Sequence, residues 1–437
     1  MATKPGESPL KNAIRAATKI EPHELKATLL SFSFVFILMA AYFILRPVRD
    51  ALSSEWTDAE LSWLWTATFG FSVLAVSLYG AIIPHVRFRR LVPGVYIFFA
   101  ATFVGFYFGS SLLPDPTWVD KTFYVWLSVF SLFHVSVFWS FMSGLFNKEQ
   151  APRLFAVIAT GASAGAIVGP IVPTFFADSI GTNNLMLISA ALLLVPVPII
   201  QVLDRLKVTD LGNDALQADL SKQVRLGRNP FSGFMLLVRD PYLLGIALFI
   251  LLYVMMNTFF YFELRDLLRE FERETRTRIW GGIDLVINVL TILIALFGTG
   301  RLAVRFGMST TLALVPVLMV GGWAIVAASP ILAVLVAIQV ARRVGNYAIT
   351  RPGREMLFTL VDQERRYKAK PVIDIVVYRG GDMVTAWAYT AIAATFSLGL
   401  SGIAIIAAAI AALWALTGAL LGRSYDRAPA ATKTTED

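Results

Sequence analysis

Apolar runs of about 20 residues recur twelve times along this 437-residue chain, separated by short charged or Pro- and Gly-containing stretches. A helix needs roughly that length to cross a hydrocarbon core of ~30 Å. Lipid offers the backbone no hydrogen-bond partner, so each run must satisfy its own N–H and C=O groups by coiling. The spans predicted are 25–47, 61–84, 91–113, 120–145, 154–177, 184–203, 241–262, 279–299, 308–328, 331–350, 371–395 and 400–421. Composition agrees: 57% of residues are apolar and 16% charged, against about 45–50% and 25% in a soluble domain. The fold class expected is all-α, a polytopic membrane protein of twelve transmembrane helices.

The spans divide as six plus six, and the division is written twice in the residues. Tyr42-Phe43-Ile44-Leu45-Arg46 returns as Tyr261-Phe262-Glu263-Leu264-Arg265, an offset of 219, and Val86-Arg87-Phe88 returns as Val304-Arg305-Phe306 at 218. Repetition at half the chain length points to a duplicated unit, and two parallel repeats in a membrane protein place a ligand near their meeting. The expected organisation is an N-terminal six-helix bundle over 1–203, a polar cytoplasmic linker over 204–240, and a C-terminal six-helix bundle over 241–437 with a polar tail.

Most of the 38 Lys and Arg residues fall in the termini, in the linker and in alternate loops, which by the positive-inside rule puts both termini in the cytoplasm. The net charge of +8 is therefore topological. Bases spread over loops form no nucleic-acid surface, so no nucleic acid is expected as a partner. The chain has no Cys, which excludes disulfides, thiolate metal sites and a cysteine nucleophile. His23, His85 and His134 have no metal-ligand spacing. There is no phosphate-binding glycine loop ending in Gly-Lys-Ser/Thr, and the run Gly161 to Gly165 has no strand before it to make a nucleophile elbow. Neither an enzyme nor a cofactor is expected. The N-terminus carries no cleavable signal pattern and reads as leading into an uncleaved first helix.

Ionisable residues inside spans carry the most information, because each costs at least ~2.5–3.5 kcal/mol to insert unless it faces a partner or a wet cavity. Arg342 and Arg343 lie deep in the tenth span. The eleventh holds Asp374, Tyr378 and Asp382, four apart and so on one helix face, with Arg379 turned by about 100° from Tyr378. These read as cavity lining. Gly380 and Gly381 between them either allow close packing or loosen the helix. The run Ala159 to Gly169 in the fifth span has small residues at intervals of four, which suits tight helix contact, and pairs by offset with the eleventh.

The repeated pieces at the ends of the first and seventh spans bring charges of both signs to the outer face: Arg46, Arg49 and Asp50 from one half, Glu263, Arg265 and Asp266 from the other. They are candidates for an external gate of ion pairs weak enough to break during a cycle. Pro47 is expected to bend or end the first helix. His134 in the fourth span is either a hydrogen-bonding packer or a group in proton coupling.

Family resemblance enters through several motifs. The loop Gly300-Arg301-Leu302-Ala303-Val304-Arg305-Phe306-Gly307 resembles the cytoplasmic loop motif of the major facilitator superfamily, with Val304 where an acid is usual. Arg46-Pro47-Val48-Arg49-Asp50, Arg351-Pro352-Gly353-Arg354-Glu355, Arg366-Tyr367-Lys368-Ala369-Lys370 and Asp374 through Asp382 resemble bacterial relatives of the ATP/ADP translocases of plastids and intracellular bacteria. That resemblance implies exchange of nucleotides or related anions by alternating access, with cationic side chains on the phosphates and Arg49 at the position of a basic residue of the first helix. Two positions depart from the family pattern: an apolar residue, near Val137, stands where exchangers carry a glutamate, and Asp382 stands at a lysine.

The function expected is secondary transport of a small anionic metabolite, of the nucleotide or organic phosphate class, across a bacterial inner membrane by antiport. Arg342, Arg343, Arg379, Tyr378 and Arg49 are the candidate substrate-binding residues. Asp374, Asp382 and His134 orient them or carry protons. A proton-coupled exporter of drugs or lipids and a non-transporting receptor or scaffold are the alternatives. Beyond the lipid bilayer, no obligate protein partner is implied.

Overall fold

A computed structural model describes residues 20–82, 88–147, 149–213, 232–297, 299–361, 369–370, 372–396 and 398–427. The bases before residue 20, Arg87 and the Arg366–Lys368 part of the cytoplasmic motif lie outside them. No strand occurs among the described residues, and ten helices are long and apolar enough to cross a membrane. The two other predicted spans coincide with helices Asp58–Ile82 and Tyr378–Phe396.

The helices run α1 Leu25–Leu52, α2 Asp58–Ile82, α3 Phe88–Leu112, α4 Thr117–Leu145, α5 Ala151–Ile180, α6 Asn184–Leu194, α7 Pro196–Thr209, α8 Ser232–Arg239, α9 Pro241–Leu268, α10 Arg273–Phe297, α11 Thr299–Ala328, α12 Leu332–Gly345, α13 Arg351–Leu357, α14 Tyr378–Phe396 and α15 Leu400–Arg427. The sixth span is thus two helices, parted at Val195 before Pro196, whose ring takes the first helical position of α7. Pro47 does not end the first helix, which continues through it to Leu52. In a membrane helix the freed carbonyl finds other partners, so proline is tolerated where a soluble helix would stop.

The chain falls into two compact units: residues 1–52, 70–224 and 272–285 form one, and 53–69, 225–271 and 286–437 the other. Each therefore takes a helical segment from the opposite half of the sequence, the start of α2 in one case and of α10 in the other.

In the first unit α1 is the central strut, packed on α4, α5, α6 and α7. Its closest neighbour is α5, and the small-residue run explains why. A Cβ on Gly161, Gly165 or Gly169 would stand 2.6, 2.2 and 2.7 Å from the carbonyl oxygens of Phe32, Phe36 and Ala40. Only glycine lets the backbones approach this far, and repetition every four residues keeps the contact along one face. Phe34, with Tyr96, Phe138 and Phe141 edge-on around it, fills the space between α1, α3 and α4. The start of α10 joins by Arg273 to Asp120 (3.2 Å), by Thr277 to Thr182 (3.3 Å) and by Gly281 against Thr174.

In the second unit the closest pair is α11 with α15, where a Cβ on Gly422 would meet the backbone of Ser309 at 2.2 Å. Helix α11 restarts sharply at Gly307, whose φ of +76° suits glycine. Asp426 of α15 accepts hydrogen bonds from the N–H groups of Met308 (3.0 Å) and Ser309 (3.2 Å). A carboxylate at a helix start satisfies orphan donors and the helix dipole. The start of α2 joins this unit through Ser62 to Thr390 (2.9 Å), Trp387 to Thr66 (3.0 Å) and Trp63 edge-on to Trp387. Helix α2 docks on α14 here and α10 on α5 in the first unit.

Candidate functional site

The tenth span is continuous from Leu332 to Leu360, 29 residues, but changes winding on the way. After α12, residues Asn346–Thr350 widen into a π-helical turn. The eleventh span opens on another, Val372–Val377, before α14. Such turns are uncommon and frequently mark functional sites, because the added residue breaks the regular ladder and re-aims side chains. Both lie in the second unit, beside the ionisable residues singled out above.

Arg342 is the centre of this cluster. Ten residues into its span, about 15 Å from the start, it is fully buried (0% exposed). Its Nε and Nη2 donate to Gln339 Oε1 at 3.0 and 2.8 Å, and Nη2 also donates to Asn257 Oδ1 at 2.9 Å. Its guanidinium carbon stands 5.7 Å from the Tyr253 ring centre and 5.4 Å from that of Phe260. No described carboxylate pairs with it, and Nη1 has no hydrogen-bond partner. Neutral amides and aromatic faces thus hold a full positive charge where lipid or protein surrounds it. Amide oxygens and ring quadrupoles lower the cost without cancelling the charge.

The ring of Tyr253 links the rest: its hydroxyl accepts from Asn346 Nδ2 (3.1 Å), and its ring lies 6.2 Å from Tyr378 and 5.8 Å from Trp414. Arg343, 5% exposed, lies over Tyr347 at 6.0 Å. Arg379 and Asp382 are 3.8 Å apart, an ion pair looser than a hydrogen bond. Gly380 has nothing within 4 Å of a built Cβ, whereas Gly381 packs on Leu251 and Val254. Gly380 therefore does not serve dense packing as Gly161 to Gly169 do. Asp374 lies further along, 3.6 Å from Arg354, which also binds Glu355; Lys370 bonds the same glutamate.

The other residues singled out in the sequence take separate places. In the first unit, Arg49 donates from Nε and Nη2 to Asp50 (3.0 and 2.7 Å) and from Nη1 to Ser128 (3.3 Å), and lies over the Tyr124 ring. His134 is wedged between the rings of Tyr42 and Phe130, with Nδ1 3.1 Å from the Phe130 carbonyl. The charges expected at an outer gate form two clusters. Arg46 pairs with Asp50 (3.8 Å) and Asp284 (3.4 Å) in the first unit. Its repeat equivalent Arg265 pairs with Asp58 and Asp266 in the second, and also donates to the carbonyls of Trp56 and Thr57. Each arginine thus meets an aspartate on the helix lent by the opposite sequence half. Glu263 joins neither pair and instead accepts from the Tyr389 hydroxyl.

Asn257, Gln339, Asn346 and Asp284 were not singled out in the sequence. All four are polar residues inside apolar spans, so the signal was present. The three amides are weaker markers than charges because a membrane helix tolerates them at lower cost, whereas Asp284, a carboxylate within the eighth span, carries as strong a signal as the charges named above.

Ten helices among the described residues that are long and apolar enough to cross a membrane, with buried polar side chains between them, fit a multi-span membrane protein. Residues 29–349 match the Major Facilitator Superfamily, and the chain belongs to that family of secondary transporters, which are not enzymes. It is 25% identical over 431 aligned residues to ADP,ATP carrier protein 1 of Chlamydia trachomatis serovar D, an alignment spanning 83% of this chain and 81% of that protein. The ADP,ATP carrier protein 1 of Chlamydia muridarum matches to the same extent. In fold the chain is similar to the nucleoside transporter NupG (TM-score 0.65, 13% identity, 92% of this chain and 99% of that one). It also resembles a bacterial homolog of the human lysosomal transporter Spinster (TM-score 0.60, 11% identity, 94% and 100%).

Proposed function

We propose that this transporter moves a small anionic metabolite of the nucleotide or organic phosphate class across a bacterial inner membrane, by alternating access and in exchange for a second anion. The observation that carries the reading is Arg342: a buried guanidinium that, among the described residues, has no carboxylate partner and leaves one nitrogen, Nη1, without a hydrogen bond. An anion arriving there would complete the charge and the hydrogen bonding at once, and guanidinium geometry suits carboxylate or phosphate oxygens in pairs. Arg343 and Arg379 add positive charge nearby in sequence and fold, while Tyr253, Tyr378 and Trp414 offer aromatic faces to a planar group. Asp382 orients Arg379, and Asp374 holds Arg354 at the cytoplasmic end. The distribution of bases favours cytoplasmic termini. The chlamydial carriers named for ADP and ATP, alike over most of both chains, favour a nucleotide.

The test is counterflow. Purified protein in liposomes loaded with unlabelled ADP, inorganic phosphate or a dicarboxylate should accumulate labelled ADP or another anion from outside. Arg342→Ala and Arg379→Ala should each lower that uptake by at least ~10–100-fold, the worth of a hydrogen bond to a charged group, with the protein still in the membrane. Uptake at the wild-type rate in both variants would reject the assignment.

A further inference from the structure

Glu263 lies in α9, just under three turns beyond Tyr253, and it is only 6% exposed. Its Oε1 accepts a 2.7 Å hydrogen bond from the hydroxyl of Tyr389 on α14, itself 3% exposed. Phe262 (4.7 Å) and Phe259 (5.3 Å) close around the phenol ring. The charged groups near this carboxyl are Arg265, Asp266 and Asp58. Arg265 is already held by both aspartates, so the one cation at hand is committed and the two acids repel a further negative charge. Asp58, at the start of α2, is itself held above the ordinary carboxylate range by burial, against the pull of Arg265.

No described Lys, Arg or His forms an ion pair with Glu263. A buried carboxylate that lacks a cation either takes a proton or carries a large cost, and a neutral phenol donor does not supply the missing charge. The sequence marks the position too: in the repeat Tyr-Phe-x-Leu-Arg, Glu263 stands where the first half has Ile44. The fold does not require an acid there, since Ile44 fills the equivalent place apolar and buried. An acid introduced into one copy of a repeat, at the expense of burial and without an ion pair, points to use.

We propose that Glu263, hydrogen-bonded to Tyr389, is a proton-binding site that takes up and releases one proton during the transport cycle. Uptake converts the carboxylate to the neutral acid and removes the buried charge. Release regenerates the carboxylate, held by the Tyr389 hydroxyl. Because Glu263 belongs to α9 and Tyr389 to α14, a shift of one helix against the other makes or breaks the bond. Helix motion and proton occupancy are thereby linked. The role in the cycle rests on the transport reading above; proton binding does not.

Two measurements on the purified full chain separate these. Infrared difference spectra between acid and alkaline pH should contain a protonated-carboxyl band that Glu263→Gln removes, and Tyr389→Phe should move its midpoint to higher pH by losing the donor to the carboxylate. In liposomes, wild-type uptake of labelled ADP should vary with an imposed pH gradient, and Glu263→Gln should exchange ADP with that dependence gone. Absence of a Glu263-dependent band overturns the proton site, and a pH-gradient dependence that survives in Glu263→Gln overturns its role in the cycle. A wild-type protein that moves no ADP overturns the nucleotide reading, while the infrared band still decides the proton site.

Discussion

At the scale of single residues, the second unit keeps two buried charges that a purely structural protein would have removed. Among the described residues Arg342 has amides and rings for company but no paired acid, and Glu263 has a phenol but no ion-paired base. Retaining such groups lowers stability, which is the expected cost of a binding site that a ligand completes. Arg342→Gln should therefore raise the thermal midpoint of the detergent-solubilised protein, by roughly 2–4 °C, while abolishing uptake; a lower midpoint would mean the guanidinium is a structural clasp. Arg49 is the contrast. Asp50 takes two of its donors and Ser128 another, so the sequence picked a cation whose charge the fold has already answered. His134, stacked between Tyr42 and Phe130, illustrates the same limit: from sequence, an intramembrane imidazole looks the same whether it packs or titrates.

Among the elements, the glycines divide cleanly by what surrounds them. Gly165 lies with its Cα hydrogen against the Phe36 carbonyl, and a Cβ there would clash at 2.2 Å. Gly165→Val should cost more than the ~1–3 kcal/mol of ordinary overpacking, because backbone rather than a flexible side chain must move. It should appear as lost monodispersity on size exclusion. Gly380→Ala meets open space and gains helix propensity, up to ~1 kcal/mol, so its thermal midpoint should not fall; a marked drop would show that the glycine is needed for packing after all. Spacing in the sequence distinguished these roles only for the fifth span, where small residues repeat every four positions. The adjacent pair Gly380-Gly381 carries no such period. The π-helical turns at Asn346–Thr350 and Val372–Val377 had no sequence signal of their own, since hydrophobic period reports which face is buried and not how many residues a turn holds.

For the whole molecule, the exchange of segments 53–69 and 272–285 means that neither sequence half contains a complete unit. Residues 1–220 and 221–437 expressed separately should each be unstable and degraded, whereas co-expression should recover a complex that co-purifies and transports. Independent folding of either half would contradict the exchange. The pairs Arg46–Asp284 and Arg265–Asp58 fasten those lent segments, and their repeat-related placement extends the duplication read from Tyr42–Arg46 and Tyr261–Arg265.

The number, length and apolar character of the spans were determined by sequence alone, because a bilayer imposes a thickness and a backbone rule that any crossing segment must obey regardless of its neighbours. So was the return of Tyr42–Arg46 as Tyr261–Arg265, which is carried by residue identity. Which charges would be answered and which left open was decided only by tertiary structure. Asp50 reaches Arg49, Asp58 reaches Arg265 and Asp284 reaches Arg46, whereas among the described residues no carboxylate pairs with Arg342 and no cation forms an ion pair with Glu263. Electrostatic pairing acts over a few ångströms between residues hundreds of positions apart, and hydropathy along a chain contains no information about that distance.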